Sequence, residues 1–168
     1  MSAQPAALGL ALRADAAAIA ALSRDRIEQG LGWRWTAPRV LRAILDRSSN
    51  VVVAREPGDP RLLGFGIMKY HDDEAHLLLL AVAPEAVRRG IGSALLGWLE
   101  ASALVAGVGQ VYLESRLANH AARAFYARLG YREIQQVPGY YQGQEAAVRL
   151  ARDLWLTPVA LGPGRKPA

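Results

Sequence analysis

The stretch VRRGIG, residues 87–92, sets two arginines and two glycines ahead of an apolar run at helical spacing: Ile91, Leu95, Leu96, Leu99 and Leu104. The backbone N–H groups at a helix N-terminus are unpaired and carry roughly half a positive charge, a natural seat for phosphate. Gly90 and Gly92 remove side chains that would hold an anion off the backbone, and Arg88 and Arg89 add charge at the rim. The ligand this asks for is a di- or polyphosphate lying along a loop. The dinucleotide fingerprint wants a glycine where Leu95 stands, and the P-loop wants a Gly-Lys-Ser/Thr that is missing. Taken alone, the residues fit a surface turn with solvated arginines as well.

Further on, Glu114 ends the apolar run VYL, a carboxylate near the C-terminal edge of the sheet, where open α/β sites commonly lie. Reaching solvent or pairing with Arg116 is the plain alternative. Asn119 and Tyr126 stand seven residues apart, two helical turns, and so share one helix face. Asn119 suits a helix cap without any ligand, and Tyr126 could simply pack beside Phe125. HDDEAH (71–76) gathers two histidines and three carboxylates, but neighbours alternate across a hairpin turn, so a polar turn with His76 in the following strand is the better reading. No metal is expected. Ser93 and Ser115 have no convincing His/Asp partners for nucleophilic catalysis, and His120 is expected to be exposed.

These residues need elements to position them. LGLALRAD (8–15) predicts a strand ending at Asp15, the N-cap of a helix through Glu28. Gly30 and Gly32 open a loop carrying Trp33 and Trp35, and Thr36 with Pro38 starts a second helix through Asp46. VVVAR (51–55), LLGFGIMKY (62–70) and AHLLLLAVA (75–83) predict strands, the last two an antiparallel hairpin. A helix over 90–105, a strand over 110–115 and a helix over 119–129 ended by Gly130 follow. YREIQQV (131–137) and EAAVRLARD (145–153) are the last strands, with PGYYQGQ a loop between them. The order β-α-α-β-β-β-α-β-α-β-β is a mixed α/β domain: a mostly antiparallel sheet flanked by helices, over residues 1–155, with 156–168 a flexible tail.

The 168 residues suit one domain, and 52% hydrophobic with 21% charged residues is a globular balance. With no cysteine there is no disulfide framework, thiolate metal site or cysteine nucleophile. No signal peptide is expected, because Arg13 and Asp15 interrupt the apolar start, and LLLLAVA is far short of the ~20 residues of a membrane span. A cytoplasmic protein away from membranes follows. The net charge of +5 favours anionic company, but the arginines are scattered where a nucleic-acid binder concentrates them, so nucleic acid is not expected.

LAVAPEAVRRGIGSALL (80–96) resembles the signature of the GNAT superfamily of N-acetyltransferases, in which Gln/Arg-x-x-Gly-x-Gly/Ala holds the pyrophosphate of acetyl-CoA. YLESRLANHAARAFYARLGYRE (112–133) is similar to that family's second conserved half, and to the subgroup that acetylates protein N-termini such as a ribosomal-protein alanine. The likeness covers roughly 75–150 well and 8–75 in element order only. It implies direct acetyl transfer from acetyl-CoA to a primary amine, on a protein N-terminus or a small molecule, by a monomer or homodimer. Leu80, Ala81 and Val82 would pair with the pantetheine arm, the Val82 N–H facing the thioester oxygen, and Arg88, Arg89, Gly90, Ile91, Gly92 and Ser93 would wrap the pyrophosphate. Asn119 would also touch the cofactor. Glu114 would be the general base, acting through water, and Tyr126 the general acid at the CoA sulfur. Trp33, Trp35, Tyr140 and Tyr141 would line the acceptor site. Val87 departs from the pattern at the Gln/Arg place, which leaves a catalytically silent CoA-binding sensor as the rival reading.

Overall fold

A computed structural model describes residues 4–156. Seven strands form one sheet in the order β1-β2-β3-β4-β5-β7-β6. They are β1 (Ala7–Leu10), β2 (Ser49–Arg55), β3 (Leu62–Tyr70), β4 (Glu74–Val82), β5 (Gln110–Arg116), β6 (Arg132–Tyr141) and β7 (Glu145–Asp153). Only β4 and β5 pair in parallel. The helices are α1 (Ala16–Arg26), α2 (Ala37–Leu45), α3 (Ile91–Val105) and α4 (His120–Arg128) among the described residues. This is the anticipated order and layering.

Strand alternation sorts the core into two layers. Val51 and Val53 of β2, Phe65 and Ile67 of β3, and Leu79 and Ala81 of β4 meet Ile19, Ala20 and Val40 of α1 and α2. Val52, Met68 and Leu77 point the other way, onto Leu95, Leu96 and Leu99 of α3. Buried on both faces, β2 and β3 carry near-continuous apolar runs.

The feature that matters for function is a parting of two strands. β4 and β5 pair from Glu74/Gln110 to Leu77/Leu113 and no further, although β4 runs on to Val82 and β5 to Arg116. On the other side of β4, Ile67 faces Leu79 while Met68 faces Leu77, so Leu78 is the extra residue of a bulge. A bulge bends its strand and raises the local twist, and this one lies where β4 leaves β5.

Several boundaries differ from the sequence expectation. Asp15 stands at the N-cap position of α1, as expected, but its side chain does not cap the helix: the residue completes a 3-10 turn that runs straight into α1. Its carboxylate reaches back to the Leu12 N–H (2.7 Å) and binds Arg55 Nη2 (2.5 Å). α1 stops at Arg26, because Glu28 turns inward to serve the next loop. β6 extends through the PGYY stretch to Tyr141, with irregular pairing past Val137. A 3-10 turn reaches Leu156, the first residue of the expected tail; the rest of that tail lies outside the described residues.

Candidate active site

A cavity of about 1150 Å³ occupies the gap between β4 and β5. Its walls are Leu78–Leu80 of β4, Leu113–Asn119 of β5 and the following turn, Tyr126 of α4, the segment joining α1 to α2, and the β6–β7 hairpin. The backbone along β4 decides what the gap can bind. The Ala83 N–H donates to the Leu63 carbonyl and Val82 stands opposite Gly64. In an antiparallel ladder this turns the polar groups of Leu79 and Ala81 toward β3 and those of Leu80 and Val82 toward the gap. Arg26 Nε donates to the Val82 carbonyl (3.2 Å), leaving the Val82 N–H on the same strand edge, beyond the cavity wall at Leu80. Of the three β4 residues expected to pair with an extended ligand, Leu80 and Val82 are free to do so and Ala81 is not.

Glu114 lies on the cavity wall, yet only 5% of its side chain is exposed. One oxygen contacts His76 Nε2 at 2.5 Å, and the other accepts from Arg149 Nε at 3.0 Å. Burial pushes this carboxyl upward, but the hydrogen bonds and charges of His76 and Arg149 outweigh it, and the net displacement is below the usual carboxylate value. The result is an anion held beside an imidazole, which itself stacks on Tyr112 with ring centroids 4.2 Å apart. Arg116, the partner that sequence proximity suggested, goes elsewhere. It donates to the carbonyls of Ile27 (2.8 Å) and Gln29 (2.6 Å) and pairs with Glu145, tying the end of α1 to β5.

Tyr126 satisfies both sequence readings at once. Its ring is in the core, edge-on to Phe125 (5.0 Å) and Tyr131 (5.7 Å). The side chain also lines the cavity, and its hydroxyl bonds to no other described residue. Burial, and then the nearby Tyr141, push the phenol well above its ordinary value, so it stays protonated. Asn119 caps α4, its side-chain oxygen accepting from the Ala122 N–H (3.1 Å), and also lines the cavity.

The loop ahead of α3 has the shape its glycine predicts. Gly90 is the left-handed N-cap (φ 75°), and Arg88 also takes positive φ (65°). Two left-handed residues around α3's first turn aim backbone N–H groups outward, the geometry of an anion nest. Gly92 has another reason to be small: a Cβ there would meet Phe125 Cζ at 3.3 Å, so it serves helix packing. Both arginines are exposed, but Arg89 is bound to Glu56, while Arg88 has no ion pair among the described residues. Ile91 is buried under the turn and Ser93 is exposed. Val87 is exposed and extended. The loop is not part of the cavity wall; it continues from the Val82 end of β4.

Of the aromatic residues, Trp35, Tyr140 and Tyr141 line the cavity. Trp33 does not: it is 43% exposed, its Nε1 donates to the Trp35 carbonyl (3.1 Å), and Arg24 lies over its ring. Burial and the Glu114 charge raise the Tyr140 phenol, placing that hydroxyl close to the carboxylate.

Sequence reasoning missed His76, Arg149 and Glu28. His76 was read as an ordinary strand residue, and Arg149 belongs to β7, whose register opposite Glu114 no local pattern announces. Glu28 is buried and accepts from Ser23 Oγ (2.9 Å) and from the N–H groups of Arg34 (2.7 Å) and Trp35 (3.1 Å). A lone acid at the end of the expected helix, two residues before Gly30, was its only signal. Among the described residues no three His, Cys, Asp or Glu side chains gather as a metal site.

A sheet parted beside a bulge, outward backbone N–H groups before the next helix and a buried Glu–His pair beside the gap make a site for an extended ligand with an anionic group. Residues 19–131 match the acetyltransferase (GNAT) family, and the chain belongs to it. One relative is the ribosomal protein bS18-alanine N-acetyltransferase of Salmonella typhimurium, 40% identical over 96 residues, 55% of this chain and 65% of the relative. The shared stretch is therefore just under two thirds of that relative's length. Among solved structures, the ribosomal-protein-S18-alanine N-acetyltransferase of Escherichia coli superposes with a TM-score of 0.76 at 24% identity, over 96% of this chain and 99% of that one. The paia N-acetyltransferase of Thermoplasma acidophilum, crystallised in complex with coenzyme A, superposes with a TM-score of 0.73 at 17% identity, over 89% of this chain and 99% of that one. At these identities the two structures establish the fold. No helix among the described residues is long and apolar enough to cross a membrane.

Proposed function

We propose that residues 1–155 form one N-acetyltransferase domain that moves the acetyl group of acetyl-CoA directly to a primary amine, with a protein N-terminus as the favoured acceptor. The observation that carries this reading is one cavity holding the ionised Glu114 with His76 and the unbonded Tyr126 hydroxyl, along a β4 edge whose Leu80 and Val82 polar groups turn toward the gap. Kinship with an enzyme acting on a ribosomal-protein alanine supports the choice of acceptor. So does the tyrosine-bearing hairpin facing Trp35 across the cavity.

Acetyl-CoA supplies the activated acetyl group; the residues here hold it and move protons. The N–H groups around Gly90 and the exposed Arg88 seat the pyrophosphate, while Leu80 and Val82 offer a strand edge to the pantetheine arm. The Val82 N–H stabilises charge developing on the thioester oxygen. Glu114, reached through a water because its side chain is almost fully covered, takes the amine's proton. Nitrogen bonds to the acetyl carbon, the carbon–sulfur bond breaks, and Tyr126 donates its proton to the departing sulfur. A cysteine-free composition supports a cytoplasmic setting, and the chain is read as a monomer or homodimer.

A thiol-release assay with N-terminal peptides and small amines tests the reading. Acetyl-CoA should also raise the melting temperature. Binding without turnover on any amine would leave a sensor in place of an enzyme, and no thermal shift would remove both readings.

A further inference from the structure

The segment joining α1 to α2 presents cations to the cavity that nothing in the fold offsets. Carboxylates on the wall are already engaged: Glu28 with three donors, Glu114 with His76 and Arg149, Glu145 with Arg116. Arg26 is committed to the Val82 carbonyl and Arg123 to Glu133. Arg34 and Arg39, both on the wall, differ: among the described residues neither guanidinium makes a hydrogen bond or an ion pair. Arg39 lies 4.1 Å over the Trp35 ring, a contact that fixes the guanidinium while its N–H donors stay unused. Arg34 projects from a backbone pinned at its N–H by the buried Glu28. The N-terminus of α2 adds the same sign, because Thr36 provides no side-chain cap. The loop suited to pyrophosphate, at residues 87–92, lies outside this wall, so these cations are not needed there.

Resting on the peptide reading above, we propose that the acceptor carries carboxylates within the first few residues after its reacting amine, and that Arg34 and Arg39 bind them. Arg39 is the fixed recognition group, because its guanidinium lies over Trp35; Arg34, exposed on the loop, is the second. An acceptor with lysine or arginine at those places meets like charge without a compensating acid on the wall.

The test uses three peptides that share one free N-terminal residue and differ only in Glu, Gln or Lys at the second to fourth positions. Thiol release should rank kcat/KM as Glu, then Gln, then Lys, with a Glu-to-Lys ratio of roughly tenfold at low salt, shrinking toward unity by about 0.5 M salt. In Arg34→Glu/Arg39→Glu the ratio should fall below one. Should that variant fail to fold, Arg34→Gln alone, at an exposed loop position, should cut the ratio about threefold, and Arg39→Lys should retain most of it. Equal turnover of all three peptides by the native chain, or a ratio untouched by Arg34→Gln and Arg39→Gln, would overturn the inference and leave the peptide reading intact. No turnover of any peptide, with small amines still acetylated, would overturn the peptide reading and this inference together.

Discussion

Replacing Arg149 by Met leaves the Glu114 carboxylate almost fully covered, with His76 as its remaining close partner. In the native chain two opposing effects act on that carboxyl: burial raises its pKa, and His76 and Arg149 lower it further than burial raises it. Removing a cation 3.0 Å away takes out the Arg149 part of the lowering side, and loss of such a neighbour moves a carboxylate by about 1–3 pH units. Burial then dominates, and Glu114 in Arg149→Met should titrate above the reference glutamate value of about 4.3. Each unit corresponds to about 1.4 kcal/mol, so the same substitution should cost roughly 1.4–4 kcal/mol of stability at pH 7. Arg149 is itself one-third exposed, which favours the lower half of that range. The sign follows from linkage. In the native chain, Glu114's contribution holds above the unfolded carboxylate pKa and fades as pH falls through its lower folded value. In Arg149→Met the folded value lies above the unfolded one, so the deficit should shrink on acidification from pH 7 toward pH 4. Melts followed by circular dichroism across that range, beside a kcat/KM–pH profile whose acid limb should move up, measure both. In a Glu114→Gln background the carboxylate is gone, and Arg149→Met should then cost well under 1 kcal/mol. A stability loss that is independent of pH and equally large in that background would refute the reasoning.

Three further outcomes are expected. Tyr126→Phe should lower kcat by about a hundredfold or more with the melting temperature nearly unchanged, because it removes a hydroxyl that bonds to no described residue; thiol release and thermal melts check it. Gly90→Ala should cost about 1 kcal/mol, for the φ of 75° alone, and raise the KM for acetyl-CoA more than the KM for the amine. Glu28→Ala should leave a buried hydroxyl and two N–H groups without their acceptor, cost about 2 kcal/mol, and raise the KM for the acceptor while sparing that for acetyl-CoA, as steady-state kinetics with each substrate varied would show.

Local signals were enough where a residue's role is set by its near neighbours in the chain. Asn119 is a helix cap whatever lies around it, and Gly90 before the apolar run marks a helix start; both are as anticipated. Where a side chain answers to a distant partner, local reading failed. Asp15 looks like a cap in sequence, but Arg55, forty residues on, and the Leu12 N–H claim its carboxylate. Gly92 was credited to an anion, and its need for space comes from Phe125 on another helix. Arg89 was counted with Arg88 at the rim, and Glu56 holds it.

By itself, the sequence determined the order of elements and the residues able to do proton chemistry, because hydrophobic period and turn chemistry are local quantities. The tertiary structure alone decided how that chemistry is assembled. Glu114 meets His76 through the parallel register of β4 with β5, and Arg149 through the antiparallel register of β7. The gap between them exists because β4 leaves β5 beside a one-residue bulge at Leu78. Register and strand parting are set by packing across the whole sheet, where a one-residue shift would turn every side chain to the opposite face.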